Sequence, residues 1–289
     1  MIESLTFILG IKFFIYYASW LVFPLLYLFI KQRLYWWSFF GFLFVYTRFI
    51  EPQIVLVHHY KINIGFKANY ALISDIHLGI YNNQNILEKT VEKINHLNID
   101  ALLIAGDFTY EPQFSNMQKL FSPLSKIKAP IYAVLGNHDC QRPGPNIRKE
   151  LVTILEKNGV TILNNEAKKL NGVTILGLGS NWAEEDDVGM LKNYRKEEDL
   201  IVLTHNPDTL YAYKNSASAD ITLAGHTHGG QIRLPYLYKK MIPVRGEVLW
   251  NQGEYLYKGN KLFVTSGIGE VGLPMRFLIP PTIDVLEFY

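Results

Sequence analysis

The chain has 289 residues, 49% of them apolar, and a formal net charge of +2, which allows one large domain plus an appendage. So slight a positive balance, with no long Lys/Arg run, leaves no electrostatic footprint for nucleic acid, and none is expected as a partner. The one cysteine, Cys140, excludes an intramolecular disulfide framework and reads as a small buried thiol.

The composition changes sharply near residue 52. From Phe13 to Ile30 the chain is uncharged and almost wholly apolar, long enough to cross a hydrocarbon core as a helix. It lacks a small-residue cleavage site and is richer in aromatics than a secretory leader. Lys31 and Arg33 follow, then a second uncharged stretch, Leu34 to Thr47. That stretch carries Tyr35, Trp36, Trp37, Phe39, Phe40, Phe42 and Phe44. It is short for a span and rich in the aromatics that favour the membrane interface. Lys12 has a stem long enough to snorkel at the other boundary. Nothing later in the chain supplies a matching apolar partner, so residues 1–52 are expected to attach to a membrane. Lys31 and Arg33 mark the cytoplasmic side by the positive-inside bias. With the second stretch in the interface, residues 53–289 are expected on the cytoplasmic face of the inner (cell) membrane; were it to span, they would lie on the opposite face.

After Glu51-Pro52, short apolar runs alternate with amphipathic segments. Ile54–His58, Tyr70–Ser74, Ala101–Ala105 and Ile131–Leu135 read as strands. Between them, residues 85–97 place Ile86, Leu87, Val91 and Ile94 on one helical stripe, with Asn83 as N-cap. A further helix is expected over 146–157, with Ile147, Leu151, Ile154 and Leu155 inward and Asn158-Gly159 as its stop. Strands follow at 173–177, 200–204, 221–224, 262–265 and 282–286. The strand–helix–strand order up to residue 135 gives parallel pairs, and the later strand-rich stretch a mixed second sheet. The expected fold is α/β: a two-sheet β-sandwich flanked by helices, preceded by the N-terminal membrane-attached helical segment.

Five of the eight histidines stand where these strands end. Tyr70–Ser74 runs into Asp75-Ile-His77, Ala101–Ala105 into Gly106-Asp107, and Ile131–Leu135 into Gly136-Asn137-His138-Asp139. Later, 200–204 ends at His205 and 221–224 at Gly225-His226-Thr227-His228. Reactive groups in open α/β sheets gather beyond the carboxyl ends of the strands. Asp-x-His and Gly-Asp are weak alone, since an Asp at a strand end is commonly a turn cap, whereas Gly-Asn-His-Asp is far less common. Five strands ending in ligand-type residues are improbable as core packing. His58, His59 and His96 lie outside the set and read as ordinary packing or surface residues. There are more ligands than one tetrahedral site can use, so the set suits two divalent cations. Carboxylate, imidazole and amide oxygen together favour Mn²⁺, Fe²⁺ or Zn²⁺ over a thiolate-bound metal.

The order Asp-x-His, Gly-Asp, Gly-Asn-His-Asp, His and Gly-His-x-His resembles the calcineurin-like metallophosphoesterase family, from about Ala68 to the C-terminus. The runs Gly229–Pro235 and Ser266-Gly-Ile-Gly269…Gly272-Leu-Pro-Met-Arg-Phe277 are similar to its membrane-attached bacterial branch. That branch includes broad phosphodiesterases and the UDP-2,3-diacylglucosamine pyrophosphatases of lipid A synthesis. The resemblance implies that Asp75, His77 and His228 hold a first metal and Asn137, His205 and His226 a second. Asp107 would bridge the two with both its oxygens, and Mn²⁺ is the first expectation for the ions. His138 would stand unligated beside the leaving-group oxygen, as general acid or stabiliser of phosphoryl charge. Asp139 would accept from the other nitrogen of that ring and fix its tautomer.

Past the last motif, Arg233, Lys239, Lys240 and Arg245 alternate with Leu234, Tyr236, Leu237, Tyr238, Met241 and Ile242. Such a mixture suits a phosphate with an apolar tail or an anionic membrane surface, and equally an ordinary solvated loop. Arg233, Lys239 and Lys240 are the expected substrate-binding residues. The leading expectation is a membrane-attached hydrolase of a phosphodiester or pyrophosphate bond in a lipid-linked substrate, with UDP-2,3-diacylglucosamine, cut to the lipid 1-phosphate and UMP, as the specific case. The alternatives are a phosphodiesterase for soluble nucleotides or other diesters, and a non-catalytic metal-bound membrane scaffold.

Overall fold

A computed structural model describes residues 2–140, 146–194, 197–213, 219–236 and 238–289. Leu237 of the basic–aromatic segment lies outside them. In chain order, α1 (Ile2–Ala18) passes through one 3-10 turn into α2 (Val22–Lys31), and α3 (Tyr35–Val45) follows a short turn. The body then begins with β1 (Leu56–Ile62), β2 (Ala68–Ile73), the two-residue β3 (Leu78–Gly79) and α4 (Gln84–Ile94). Next come β4 (Ala101–Ala105), β5 (Thr109–Tyr110), α5 (Met117–Phe121), β6 (Ile131–Val134), α6 (Arg148–Lys157) and β7 (Val160–Ile162). The remainder is β8 (Glu166–Leu170), β9 (Val173–Gly177), β10 (Leu200–Leu203), β11 (Ile221–Ala224), β12 (Gly253–Tyr257), β13 (Asn260–Val264) and β14 (Thr282–Phe288).

Two six-stranded sheets result, ordered β1-β14-β2-β4-β6-β7 and β12-β13-β11-β10-β9-β8. In the first, β2, β4, β6 and β7 run parallel, as the strand–helix–strand pattern requires. In the second, β9, β10, β11 and β13 are parallel and both edge strands antiparallel, so the sheet is mixed as expected. One placement differs from a simple division of early and late strands. β14 leaves the later stretch and inserts between β1 and β2, antiparallel to β2.

Side chains alternate across each strand, and the alternation sorts them into three apolar layers. Leu72, Leu103, Val134, Ile201, Leu203, Leu223 and Phe263 fill the space between the sheets. Ala71, Ile73, Leu102 and Ile104 face the other way, onto Ile86, Leu87 and Val91 of α4 and onto Leu151 and Leu155 of α6. Leu176, Val202 and Val264 pack outward on Trp250 and Leu210. The Asn83 side chain accepts from the Asn85 N–H at 2.9 Å, the expected cap of α4. The edge strand β8, Glu-Ala-Lys-Lys-Leu, escapes a hydrophobic reading because it is polar and mostly exposed, as edges often are.

α3 folds back antiparallel on the preceding helix: Trp37 meets Phe29, Gly41 faces Leu26, Phe49 meets Phe23 and Trp20, and the Arg48 Nε–H donates to Ser19 Oγ at 3.2 Å. Residues 34–47 therefore form the return arm of a helical hairpin. Leu9–Lys31 is long and apolar enough to cross a membrane, with a mean hydropathy of 1.9, yet only 11% of that window is buried. The turn bearing Arg33 lies at the far end of the hairpin from the body. The body grips the near end, through the Arg276 N–H on the Thr47 carbonyl at 3.0 Å and the Ile279 N–H on Glu51 Oε1 at 2.7 Å.

Candidate metal centre

β2, β4 and β6 of the first sheet and β10 and β11 of the second all deliver their carboxyl ends to one place. Strong turns are needed there, because each chain must swing its first side chain inward as it leaves the sheet. Asp75, His77, Asp107, His226 and His228 all have φ between 48° and 72°, a region costly for residues other than glycine. Each such residue costs on the order of 1–3 kcal/mol, and clusters of them are characteristic of functional sites. The glycines are equally constrained. A Cβ on Gly136 would lie 2.0 Å from Asp107 Oδ1, and one on Gly225 2.6 Å from Asp75 Oδ2.

Two groups of potential ligands form, Asp75, His77 and His228, and Asp107, His205 and His226, all buried. Within the first, His77 Nε2 and His228 Nε2 are 3.1 Å apart, and Asp75 Oδ1 is 3.4 Å from His228 Nε2. Within the second, His205 Nε2 is 3.1 Å from His226 Nδ1 and 3.2 Å from Asp107 Oδ2. Asp107 Oδ2 is also 3.5 Å from His77 Nε2, so this one oxygen touches both groups. Its partner Oδ1 accepts from the His138 N–H at 2.9 Å. Oδ2 is thus the Asp107 oxygen placed between the two groups, and the backbone after β6 holds the other.

The donor set fits divalent cations. The His77 Nδ1–H donates to the Thr109 carbonyl at 3.2 Å and the His205 Nδ1–H to the Ala105 carbonyl at 2.7 Å, turning each Nε2 lone pair into the cluster. Asp75 Oδ1, Asn137 Oδ1 and His226 Nε2 are buried without a hydrogen-bond partner. Unmatched buried lone pairs are costly unless something electropositive meets them. Burial drives the His77 imidazole down to about 3 and those of His226 and His228 well below their usual value, so all three stay neutral, the form a cation would need. Burial raises Asp75 to about 6. At His205 burial lowers the pKa, but Asp107 outweighs it and lifts the ring to about 9. For Asp107 burial acts upward and is overcome by His205 and His138, which hold the carboxyl well below the usual range. A bound cation supplies the same compensation that His205 and Asp107 give each other as an ion pair.

His138 borders a cavity of about 270 Å³, together with Asp107, Asn137, Trp182, Met241 and Val271. The role expected of Asp139 does not hold. Its Oδ1 accepts from the Thr109 N–H at 3.0 Å and the Thr109 hydroxyl at 3.1 Å, and its Oδ2 from the Gly136 N–H at 2.9 Å. It ties the Gly136–Asp139 loop to Thr109 rather than orienting the neighbouring imidazole, and burial raises it to about 7. The expected substrate-binding residues are also placed elsewhere. Arg233 donates to the Gly229 carbonyl at 2.9 Å and to Asn251 Oδ1 at 2.9 Å, while Lys239 and Lys240 are exposed, and none of the three lines the cavity. Cys140 is buried, as expected.

Sequence patterns missed several contributors. The Trp182 ring stands edge-on to His226 at 4.2 Å, and Arg245 covers its other side at 4.4 Å. Tyr110 stands edge-on to both His77 and His138, at 5.6 and 5.3 Å. Arg276, fully buried, donates to the carbonyls of Ser266, Gly269 and Ile279 and fixes the closing loop. Only Arg276 had a signal, as part of the Pro-Met-Arg-Phe run; nothing in the neighbourhoods of Trp182 or Tyr110 distinguishes them.

The model of the calcineurin-like phosphoesterase family matches residues 68–230. A Helicobacter pylori protein described as an uncharacterized metallophosphoesterase is 28% identical over 254 residues, 84% of this chain and 65% of that protein. The Bacillus subtilis metallophosphoesterase YkuE, also described as uncharacterized, is 31% identical over 263 residues, 83% of this chain and 87% of its own length. The UDP-2,3-diacylglucosamine pyrophosphatase LpxG of Chlamydia muridarum is 27% identical over 274 residues, 74% of this chain and 82% of LpxG. The chain thus spans somewhat under two thirds of the Helicobacter relative.

Proposed function

The chain belongs to the calcineurin-like phosphoesterase family; from that premise we propose that it is a metal-dependent phosphohydrolase, anchored to a membrane, that cleaves a phosphodiester or pyrophosphate bond in an amphiphilic, lipid-linked substrate. UDP-2,3-diacylglucosamine, hydrolysed to the lipid 1-phosphate and UMP, is the specific substrate proposed. The observation that carries this reading is the join between site and hairpin. The cavity wall contains Met241, Pro243 and Val271, and the segments 231–234 and 275–277 of its rim pair with each other. The Arg276 N–H then bonds to Thr47 at the base of the hairpin. Leu234, Tyr236, Leu273 and Leu278 are exposed in or beside those two segments, Tyr236 at 91%, and Met241 is exposed where it lines the cavity. Exposed apolar side chains near both the cavity and the hairpin base suit an acyl-bearing substrate.

The helices meet the body through the Lys12–Glu111 pair and the stack of Tyr16 on Tyr81, while most of their apolar side chains stand open. Exposed apolar helices of this length support membrane attachment. Asp75, His77 and His228, with Asn137, His205, His226 and the bridging Asp107, would hold two divalent ions, Mn²⁺ foremost. Ions so held supply Lewis acidity toward phosphoryl oxygens and lower the pKa of water near phosphorus. His138, free of the ligand set and facing the cavity, donates a hydrogen bond or proton to the departing oxygen. The Thr109 and Ala105 carbonyls keep His77 and His205 in one tautomer.

Purified protein with Mn²⁺ should turn over the diacylated UDP-sugar with a kcat/KM at least about a hundredfold above that for bis-p-nitrophenyl phosphate or cyclic nucleotides. Equal turnover of the water-soluble diesters would replace the lipid reading with a broad phosphodiesterase. Absence of any turnover in protein loaded with two ions would favour a scaffold.

A further inference from the structure

The N-terminal helix does more than lead into the hairpin; one face of it reaches the wall of the metal centre. Lys12 and Tyr16 lie one helical turn apart and so share a face. The Lys12 ammonium pairs with the Glu111 carboxylate, in a contact where both side chains are mostly buried, and sits 4.6 Å from the centre of the Tyr110 ring. Tyr16 stacks on Tyr81 at 6.0 Å with 10° between the planes, and Tyr81 meets Tyr110 at 5.5 Å. Tyr110 is 3% exposed and is the ring set at 77° to both His77 and His138. Its hydroxyl accepts from the Gly272 N–H at 3.2 Å, and the Tyr81 hydroxyl donates to the Gly272 carbonyl at 2.8 Å. Glu111 itself takes a φ of 49°, a conformation that costs energy for a glutamate. An apolar helix needing only to pack would gain nothing from a lysine here, since burying its charge is costly without the partner Glu111 provides.

We propose that α1 is part of the active-site wall: Lys12 and Tyr16 are positioning residues that, through Glu111 and Tyr81, hold Tyr110 against His77 and His138. Among the described residues no carboxylate pairs with the His138 ring, Asp139 being committed to Thr109 and Gly136. The edge of Tyr110 is therefore what limits its rotation on that side. Docking of the N-terminal helix is then coupled to turnover, so that anchoring segment and catalytic centre act as one unit.

This inference rests on the phosphoester-hydrolase reading of the same site, and its test separates the two. Full-length protein in detergent micelles, loaded with Mn²⁺, is assayed on bis-p-nitrophenyl phosphate, so that neither lipid substrate nor bilayer enters the comparison. Lys12→Met and Glu111→Gln should each lower kcat about tenfold or more while KM and bound metal stay within about twofold, the size seen when a group behind a site residue is lost. Lys12→Arg, which keeps the cation, should recover most of the loss, and so should the charge exchange Lys12→Glu with Glu111→Lys. Lys12→Met and Glu111→Gln proteins that keep kcat within about twofold would overturn the proposal, even if their melting temperatures fell. Failure of the wild type to cleave the diester would instead count against the hydrolase reading itself.

Discussion

The strand ends and the N-terminal hairpin invert the ordinary rule of burial in opposite directions. At the strand ends Asp75, His77, Asp107, His205 and His228 are buried, their charges and lone pairs facing one another. On the hairpin Trp20, Leu28, Tyr35, Trp36, Phe39 and Phe40 stand open, Trp36 at 78% exposure. Each would destabilise a protein that used it for nothing, because buried ionisable groups pay desolvation and exposed apolar surface pays hydration. The proposed function answers both: convergent lone pairs suit cations, and the exposed apolar side chains of the paired helices suit lipid. Both features are strained or exposed where function needs them, while the layers between the sheets follow simple alternation.

The sharpest way to break this contrast is to remove the oxygen shared by the two ligand groups. Asp107→Ala should lower kcat by about a thousandfold or more and reduce metal content for both sites, since its Oδ2 lies within reach of His77 and His205 alike. Elemental analysis of the purified variant checks it, and two tightly held ions would refute the bridge. His138→Ala should cost about a hundredfold to ten-thousandfold in kcat with metal content unchanged, which separates the unligated imidazole from the ligands. Loss of both ions in that variant would make His138 a ligand after all.

On the hairpin, Leu28→Glu with Phe40→Glu, both at exposed positions, should weaken partition into lipid vesicles by about a hundredfold, because a carboxylate in the apolar layer costs a few kcal/mol. Turnover of a soluble diester by the same protein should hardly change, since neither side chain touches the body. A drop in diester turnover with intact vesicle binding would merge the two regions.

An effect on stability rather than on function concerns a buried acid away from the cluster. Asp284 on β14 is 0% exposed, and burial pushes its carboxyl up to about 7. An acid whose folded value exceeds its unfolded one costs nothing below about pH 4, and the fold loses stability as pH rises from there to about 7. Asp284→Asn should therefore raise stability above pH 7 by up to about 4 kcal/mol and leave it unchanged near pH 4, as read from urea unfolding at the two values. Equal stabilisation at both would assign the gain to packing.

Much of this was legible in the sequence, for reasons particular to each element. Strand runs such as Ala101–Ala105 stop abruptly at Gly106-Asp107, and a glycine followed by a ligand-type residue at a strand end leaves a mark in one dimension. The Asn83 cap and the apolar stripe of α4 are local as well. The hairpin return was not legible, because hydropathy reports that residues 34–47 are apolar but not which way they run. Asp139 was misplaced as well. The resemblance put its carboxylate on the His138 ring, whereas the 3-10 turn at 138–140 sends it to Thr109. Trp182, Tyr110 and the insertion of β14 depend on contacts between segments far apart in the chain.

The most direct measurement is a titration of metal-free, folded protein with Mn²⁺, followed by calorimetry and by magnetic coupling in the electron paramagnetic resonance spectrum. Two equivalents should bind, with a coupled spin signal that vanishes in Asp107→Ala. Saturation at a single equivalent in protein that still hydrolyses phosphate esters at its full rate would contradict a shared two-ion centre at these strand ends.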